Sequence, residues 1–180
     1  MTKILPYTNM NNSISSAGKK IALFQGSFDP FTRGHQSIVN RALTIFDEVV
    51  VAVVHNSAKP GGFFSVDMRL KIAADAFRHQ PRVKVVASDG LTIDVAKRVG
   101  ACCLLRGVRS VQDFEYEMPI AEVNRQFSGI ETMLIYTLPQ LSHINSTVVR
   151  EWLKHGKDMT HYLPEGLSVD LLKEIHAYKP

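Results

Sequence analysis

The chain has 180 residues, 45% of them hydrophobic and 21% charged, a balance that fits one soluble globular domain and excludes disordered and fibrous classes. Lys and Arg total 21 against 17 Asp and Glu, a formal charge of +4, an excess that favours an acidic ligand without requiring nucleic acid. No apolar run approaches the roughly 18 residues of a spanning helix, and residues 1–18 lack the basic start and apolar middle of a secretion signal, so a cytoplasmic protein with no membrane partner is expected.

Residues 1–18 contain eight Asn, Ser or Thr and no helical or strand period, so they are expected to form a flexible extension ahead of one domain at 19–180. From Lys20 onward, short β-rich apolar runs alternate with longer segments of helical period. Strands are predicted at 20–25, 48–54, 82–87, 101–105 and 131–137. Helices are predicted near 35–46, 65–79, 91–99, 111–128, 146–155 and 165–177. The fold class implied is α/β: a single doubly wound, Rossmann-like domain with a five-stranded parallel sheet and C-terminal helices. Ser65 and Ser146 stand where helix N-caps are expected, and Gly100 and Gly156 where helices should stop. Pro119 falls inside a helical stretch and is expected to kink or split it. Cys102 and Cys103 are adjacent, without metal-ligand spacing, and read as reduced core residues.

Sheets of this kind bind ligands at the carboxyl ends of their strands, where the strand order reverses. The first strand empties into Gly26-Ser27-Phe28-Asp29-Pro30-Phe31-Thr32-Arg33-Gly34-His35. Neither a Gly-x-Gly-x-x-Gly fingerprint nor a P-loop is present in the chain, which removes support for hydride and P-loop chemistry. What remains is Gly26, which lets a ligand approach the backbone, and Gly34-His35 at a helix start, where free N–H groups attract phosphate. The loop after the second strand carries Lys59, readable as a solvated charge or as a point charge on a mobile loop beside phosphates. After the fourth strand come Arg106-Gly107-Val108-Arg109 and, further on, Asp113 and Glu117. The two guanidinium forks suit phosphate, and an ion-pair network with Asp113 and Glu117 accounts for them equally well. After the fifth strand, Ser146, Thr147 and the first N–H groups of a helix offer either a triphosphate site or a plain N-cap.

Two of these strings carry a resemblance. Thr32-Arg33-Gly34-His35 resembles the Thr/His-x-Gly-His signature of the nucleotidyltransferase superfamily. The segment from Arg106 to Glu117 resembles the Arg-Gly-x-Arg-x-x-x-Asp-Phe-x-Tyr-Glu string of phosphopantetheine adenylyltransferases, and the likeness runs from about Lys20 to about Leu172. It implies transfer of the adenylyl group of ATP to 4'-phosphopantetheine, giving dephospho-coenzyme A and pyrophosphate, on a Rossmann-like nucleotidyltransferase fold. It further implies that Ser27, Lys59 and Arg106 contact the acceptor phosphate, that His35 stabilises charge on the α-phosphate, and that Thr92 meets the pantetheine arm. The ATP site would comprise Ser27, Phe28, His35, Gly107, Val108, Arg109 and Glu117, together with Leu141, Ser142, His143, Ile144, Asn145, Ser146 and Thr147. Asn145 departs from the family's Ile-Ser-Ser-Ser/Thr pattern. Mg2+ is expected with ATP, its ligands being phosphate oxygens and water rather than a protein cage. Family members are commonly homo-hexamers, with coenzyme A as a feedback ligand.

The first motif is shared with enzymes that use nicotinamide mononucleotide as acceptor or CTP as donor, and the Arg106 to Glu117 string discriminates against them. A nucleotide sensor or a nucleic-acid binder is the reading from another class. Lys and Arg are spread along the chain rather than clustered with aromatics, which argues against nucleic acid.

Overall fold

The computed structural model describes residues 18–55 and 62–179. The expected extension, Gly18 apart, and Lys59 lie outside the described residues. In chain order the elements are β1 (Ile21–Gly26), α1 (Arg33–Ala42), β2 (Glu48–Val54), α2 (Val66–Ala76), β3 (Val83–Ser88), α3 (Thr92–Val99), β4 (Cys103–Val108), α4 (Val111–Ser128), β5 (Glu131–Tyr136), α5 (Ser146–Lys154) and α6 (Val169–Ala177), with single 3-10 turns at Pro139–Leu141 and Thr160–Tyr162.

All four strand pairings are parallel and the order is β3-β2-β1-β4-β5. Strands buried on both faces read as continuous apolar runs, and Glu48–Val54 is one beyond its leading glutamate, with five of its seven residues valine. The larger core packs α1, α2, α5 and α6 against Ala22, Phe24, Val49, Val51, Val53 and Leu105. The opposite face, Leu23, Val50, Ala52 and Leu104, meets Val95 and Ala96 of α3. Each fully buried Val or Leu side chain contributes about 1.5–3 kcal/mol.

The register positions the site. β1 pairs with β4 only over Ala22–Phe24 and Cys103–Leu105, whereas β4 stays on β5 as far as Val108 and β1 stays on β2 as far as Gly26. The two central strands therefore part beyond Phe24 and Leu105, at the point where strand order reverses.

Several predicted boundaries need correction. β4 runs over Cys103–Val108 rather than 101–105, so Arg106, Gly107 and Val108 belong to the strand and not to the loop after it. Its ladder with β5 holds these polar and small residues in extended form. Cys102 is exposed and only Cys103 is buried, so the pair is not a core pair; Cys102 precedes the strand. α1 begins two residues before His35 and ends at Ala42. The last helix starts at Val169 instead of 165, because Pro164-Glu165-Gly166 turns there with Gly166 at φ 79°. Pro119 does not split α4, which runs unbroken over 18 residues. The carbonyl of Glu115 that loses its donor is on an exposed residue, open to solvent. Ser65 caps α2 and Gly100 ends α3 in the left-handed region, as expected.

Candidate active site

Helix α1 opens with a reciprocal cap. The N-cap Thr32 side chain accepts from the His35 N–H at 3.4 Å, while the Thr32 N–H donates to His35 Nδ1 at 3.0 Å. The geometry is that of a capping box with histidine in the place usually held by Glu or Gln. Because Nδ1 is an acceptor, the ring proton of neutral His35 sits on Nε2. Phe24, Phe28 and Phe31 surround the ring, with centroids 6.1, 5.1 and 5.2 Å away. Burial among them, together with the charges of Arg109 and Arg106, pushes the His35 pKa from 6.5 down to about 4. His35 is thus a neutral N–H donor at neutral pH. Phe28 reaches its place with φ 43°, a left-handed conformation costly for an aromatic residue.

Across the parted strands, Arg106 grips Glu117 through Nε at 2.8 Å and Nη2 at 2.5 Å, and its Nη1 donates to the Gln25 carbonyl at 2.8 Å. Arg109 pairs with Asp113 through Nε at 3.0 Å, and the Arg109 N–H donates to the same carboxylate at 2.9 Å. These side-chain hydrogen bonds hold the Asp113 carboxyl below its usual range. The ion-pair network is therefore real, and it orients both guanidinium groups on the cleft wall. Gly107 lies between them because a Cβ there would come within 3.1 Å of Ile38 on α1.

The third wall is the start of α5. Asn145, not Ser146, is its N-cap, accepting from the Val148 N–H at 2.9 Å, which corrects the expectation for Ser146 and gives Asn145 a role. Ser146 Oγ donates to the Pro30 carbonyl at 2.9 Å, and Arg150 bridges the Asp29 carbonyl at 2.6 Å and Thr147 Oγ1 at 3.0 Å. The buried Asp29 carboxylate accepts from the Phe63 and Phe64 N–H groups, both at 2.8 Å, tying the first loop to the segment that follows residues 56–61.

These walls enclose a cleft of about 430 Å³. Of the predicted residues, Ser27, Phe28, His35, Arg106, Gly107, Arg109, Glu117, Ile144, Asn145, Ser146 and Thr147 line it. Val108, Leu141, Ser142 and His143 do not; the Val108 side chain turns into the protein, and Leu141 closes the 3-10 turn ahead of α5. Thr92 lines a second cavity of about 190 Å³ that shares Gln25, Arg106 and Glu117 with the first. Gln25, Thr32, Ile38, Tyr116 and Thr137 also line the cleft and were not singled out as ligand contacts from sequence. The capping role of Thr32 was available in the Thr-x-x-His spacing and Tyr116 stands within the Arg106–Glu117 string, whereas Gln25, Ile38 and Thr137 reach the cleft only through long-range packing. Two helix N-termini, Gly34-His35 and Ser146-Thr147, face one cavity with two arginines opposite, an arrangement built for several phosphate oxygens.

The fold and this cleft define a nucleotidyltransferase, and residues 23–152 match the cytidylyltransferase-like family model. By relatives of high identity over nearly their whole length, the chain belongs to the phosphopantetheine adenylyltransferase family. It is 50% identical over 149 residues to the phosphopantetheine adenylyltransferase of Phocaeicola vulgatus, covering 83% of this chain and 98% of that one. It is 47% identical over 152 residues to the enzyme of the same name from Porphyromonas gingivalis, covering 84% and 99%. Among solved structures, a bifunctional NMN adenylyltransferase/ADP ribose pyrophosphatase from Francisella tularensis superposes with a TM-score of 0.66 at 14% identity. That match covers 88% of this chain and 51% of the other, and speaks for the fold alone.

Proposed function

We infer that this chain transfers the adenylyl group of ATP to 4'-phosphopantetheine, releasing pyrophosphate and forming dephospho-coenzyme A. The observation that carries the reading is the convergence of neutral His35, Arg106 and two helix N-termini on one cleft. The names and identities of the relatives choose the acceptor branch over nicotinamide mononucleotide and over CTP donors.

The acceptor phosphate is already an anion and the pyrophosphate leaves as one, so the reaction needs no acid–base pair. Orientation and electrostatics carry it, with alignment worth up to ~7–11 kcal/mol in favourable cases. In this reading Ser27, Lys59 and Arg106 hold the acceptor phosphate. His35 donates from Nε2 to the α-phosphate as charge builds there. Gly107, Arg109 and the α5 N-terminus, residues 144–147, hold ATP, with Val108 and residues 141–143 behind them. Thr92 meets the pantetheine arm in the adjoining cavity. Glu117 acts through Arg106, which it orients.

Among the described residues no group of three or more His, Cys, Asp or Glu is placed to hold a metal ion. The cleft carboxylates Asp113 and Glu117 are committed to arginines. Such a donor set suits Mg2+ carried in by the triphosphate, where it would neutralise phosphate charge, its ligands being phosphate oxygens and water.

A homo-hexamer is the assembly we propose. Helix α4 buries only Glu117, and with edge strand β5 it exposes Phe114, Tyr116, Met118, Val123, Phe127 and Tyr136, a face suited to self-association. Coenzyme A, which carries the same arm, is the proposed feedback ligand of the same cleft, and the cytoplasm is the proposed compartment. None of the described helices is long and apolar enough to cross a membrane.

The test is pyrophosphate release from ATP with 4'-phosphopantetheine, beside nicotinamide mononucleotide and with CTP as alternative donor. Turnover confined to ATP and the pantetheine phosphate is expected. Preference for either alternative would overturn the assignment.

A further inference from the structure

Among the described residues four charged side chains are buried: Asp29, Glu48, Arg69 and Glu117. The three carboxylates have partners, Asp29 in two backbone N–H groups, Glu48 in two lysines and Glu117 in Arg106. Arg69 differs. On α2 and 8% exposed, it donates through Nη1 to the Ser27 carbonyl at 2.8 Å and the Val54 carbonyl at 3.2 Å. Among the described residues its buried Nε has no partner and no carboxylate forms an ion pair with it. Residues 1–17 and 56–61 contain no Asp or Glu.

A guanidinium does not shed its proton on burial, so this site carries a full positive charge whose desolvation two carbonyl dipoles offset only in part. The carbonyls it holds stand at strategic places. Ser27 lines the cleft on the loop after β1, and Val54 is the last residue of β2. We propose that Arg69 is a positioning residue for the phosphomonoester end of the acceptor: it ties Ser27 to the end of β2 and sets behind them a buried cation that an incoming anion compensates. The proposal rests on the assignment of Ser27 to the acceptor phosphate made above. An ordinary strand-end clamp would affect stability and both substrates alike; a positioning cation acts on the acceptor selectively.

Two variants separate these. Arg69→Met keeps the apolar stem and removes both charge and donors, while Arg69→Lys keeps the charge on a stem one atom too short to bring its nitrogen to the Nη1 position that meets both carbonyls. Steady-state kinetics with 4'-phosphopantetheine and ATP give the first readout. The second is the rise in Tm caused by inorganic phosphate, at constant ionic strength, in enzyme saturated with the α,β-methylene analogue of ATP, so that the acceptor position is the one left open. For Arg69→Met we expect the acceptor KM to rise roughly tenfold or more, the size of one lost charge-assisted hydrogen bond, with the ATP KM little changed and the phosphate-induced rise lost. Arg69→Lys should fall between parent and Arg69→Met on both readouts. Equal changes in the two KM values, or a phosphate response in Arg69→Met as large as in the parent, would overturn the proposal. Should Arg69→Met fail to fold, Arg69→Lys decides: parent-like values on both readouts overturn it. If the parent itself ignores 4'-phosphopantetheine, the functional assignment falls, while the phosphate titration still tests Arg69.

Discussion

The two ends of the parallel sheet sequester charge in opposite ways. At the end where the strands begin, Glu48 is buried and two lysines reach in from solvent to meet it, Lys19 at 2.6 Å and Lys84 at 3.0 Å. At the end where they finish, Arg69 is buried and Arg106 half-buried, beside the buried carboxylates of Asp29 and Glu117. Arg106 and Arg109 have carboxylate partners, Arg69 has none among the described residues, and the N-termini of α1 and α5 add their free N–H groups. A buried charge whose partners come from the same chain contributes to stability; one that lacks them leaves room for a ligand of opposite sign. The difference assigns structure to one end and binding to the other.

The largest test of that division is His35→Ala. Removing one preorganised donor at developing negative charge typically costs about 10²–10³ in kcat, so a loss of that size is expected with little change in Tm. Because Nδ1 caps α1, the variant also loses half of a capping box, and the Thr32 cap that remains should hold the helix. Turnover within a few fold of the parent would remove His35 from the chemistry. Arg106→Ala comes next. It should raise the acceptor KM more than the ATP KM, and it also strands Glu117, at a cost of roughly 1–3 kcal/mol for an unsatisfied buried group. Pairing it with Glu117→Gln should restore much of the stability and none of the acceptor affinity. Recovery of both would mean that the arginine serves the fold alone.

Much of this was legible in the sequence because local physics writes it there. β2 is a run of valines and could be little else, and Gly34-His35 was legible as a helix start to within two residues. The start of β4 was misplaced because Ala101 and Cys102 look as apolar as Leu104, and its end because Arg106-Gly107 looks like a turn; the ladder with β5, invisible locally, keeps them extended. Cleft residues grouped by motif were recognisable, from Ser27 to His35 and from Arg106 to Glu117. Gln25 and Arg69 were not, since one is the lone polar side chain ending an apolar strand and the other sits mid-helix, and each gains meaning only from partners 63 and 42 residues away. The pairing of Arg106 with Glu117 was left open by spacing alone, and the packing of α4 back against β4 is what brings them together.

Smaller effects sharpen the contrast between the ends. Glu48→Gln should cost roughly 1.5–3 kcal/mol of stability, the range for hydrogen bonds to a charged group, while leaving kcat and both KM values at parent levels. A change in acceptor KM would mean that the two ends are coupled. Burial works to raise the Glu48 pKa, but hydrogen bonds from Lys19 and Lys84 outweigh it and hold the carboxyl below 4.5. Its stabilisation is therefore complete above the unfolded value and lost as pH falls through the lower folded one. Acid unfolding of Glu48→Gln should lack that component.

His35 titrates in the opposite sense from an ordinary paired histidine. Its folded value of about 4 lies under the unfolded 6.5, so between those limits the unfolded chain binds more protons and stability declines as pH falls. Nuclear magnetic resonance of the ligand-free protein should find the ring neutral, with its proton on Nε2, down to the lower limit; a midpoint near 6.5 would contradict the cage of Phe24, Phe28 and Phe31. Binding of the α,β-methylene analogue of ATP brings phosphate charge to the ring and should raise that midpoint, because an opposite charge favours the protonated form. The Glu48 carboxyl, already matched by its own lysines at the far end of the sheet, should titrate identically with and without the analogue. A midpoint at His35 that the analogue leaves unmoved would mean that the cationic end of the sheet does not receive the triphosphate.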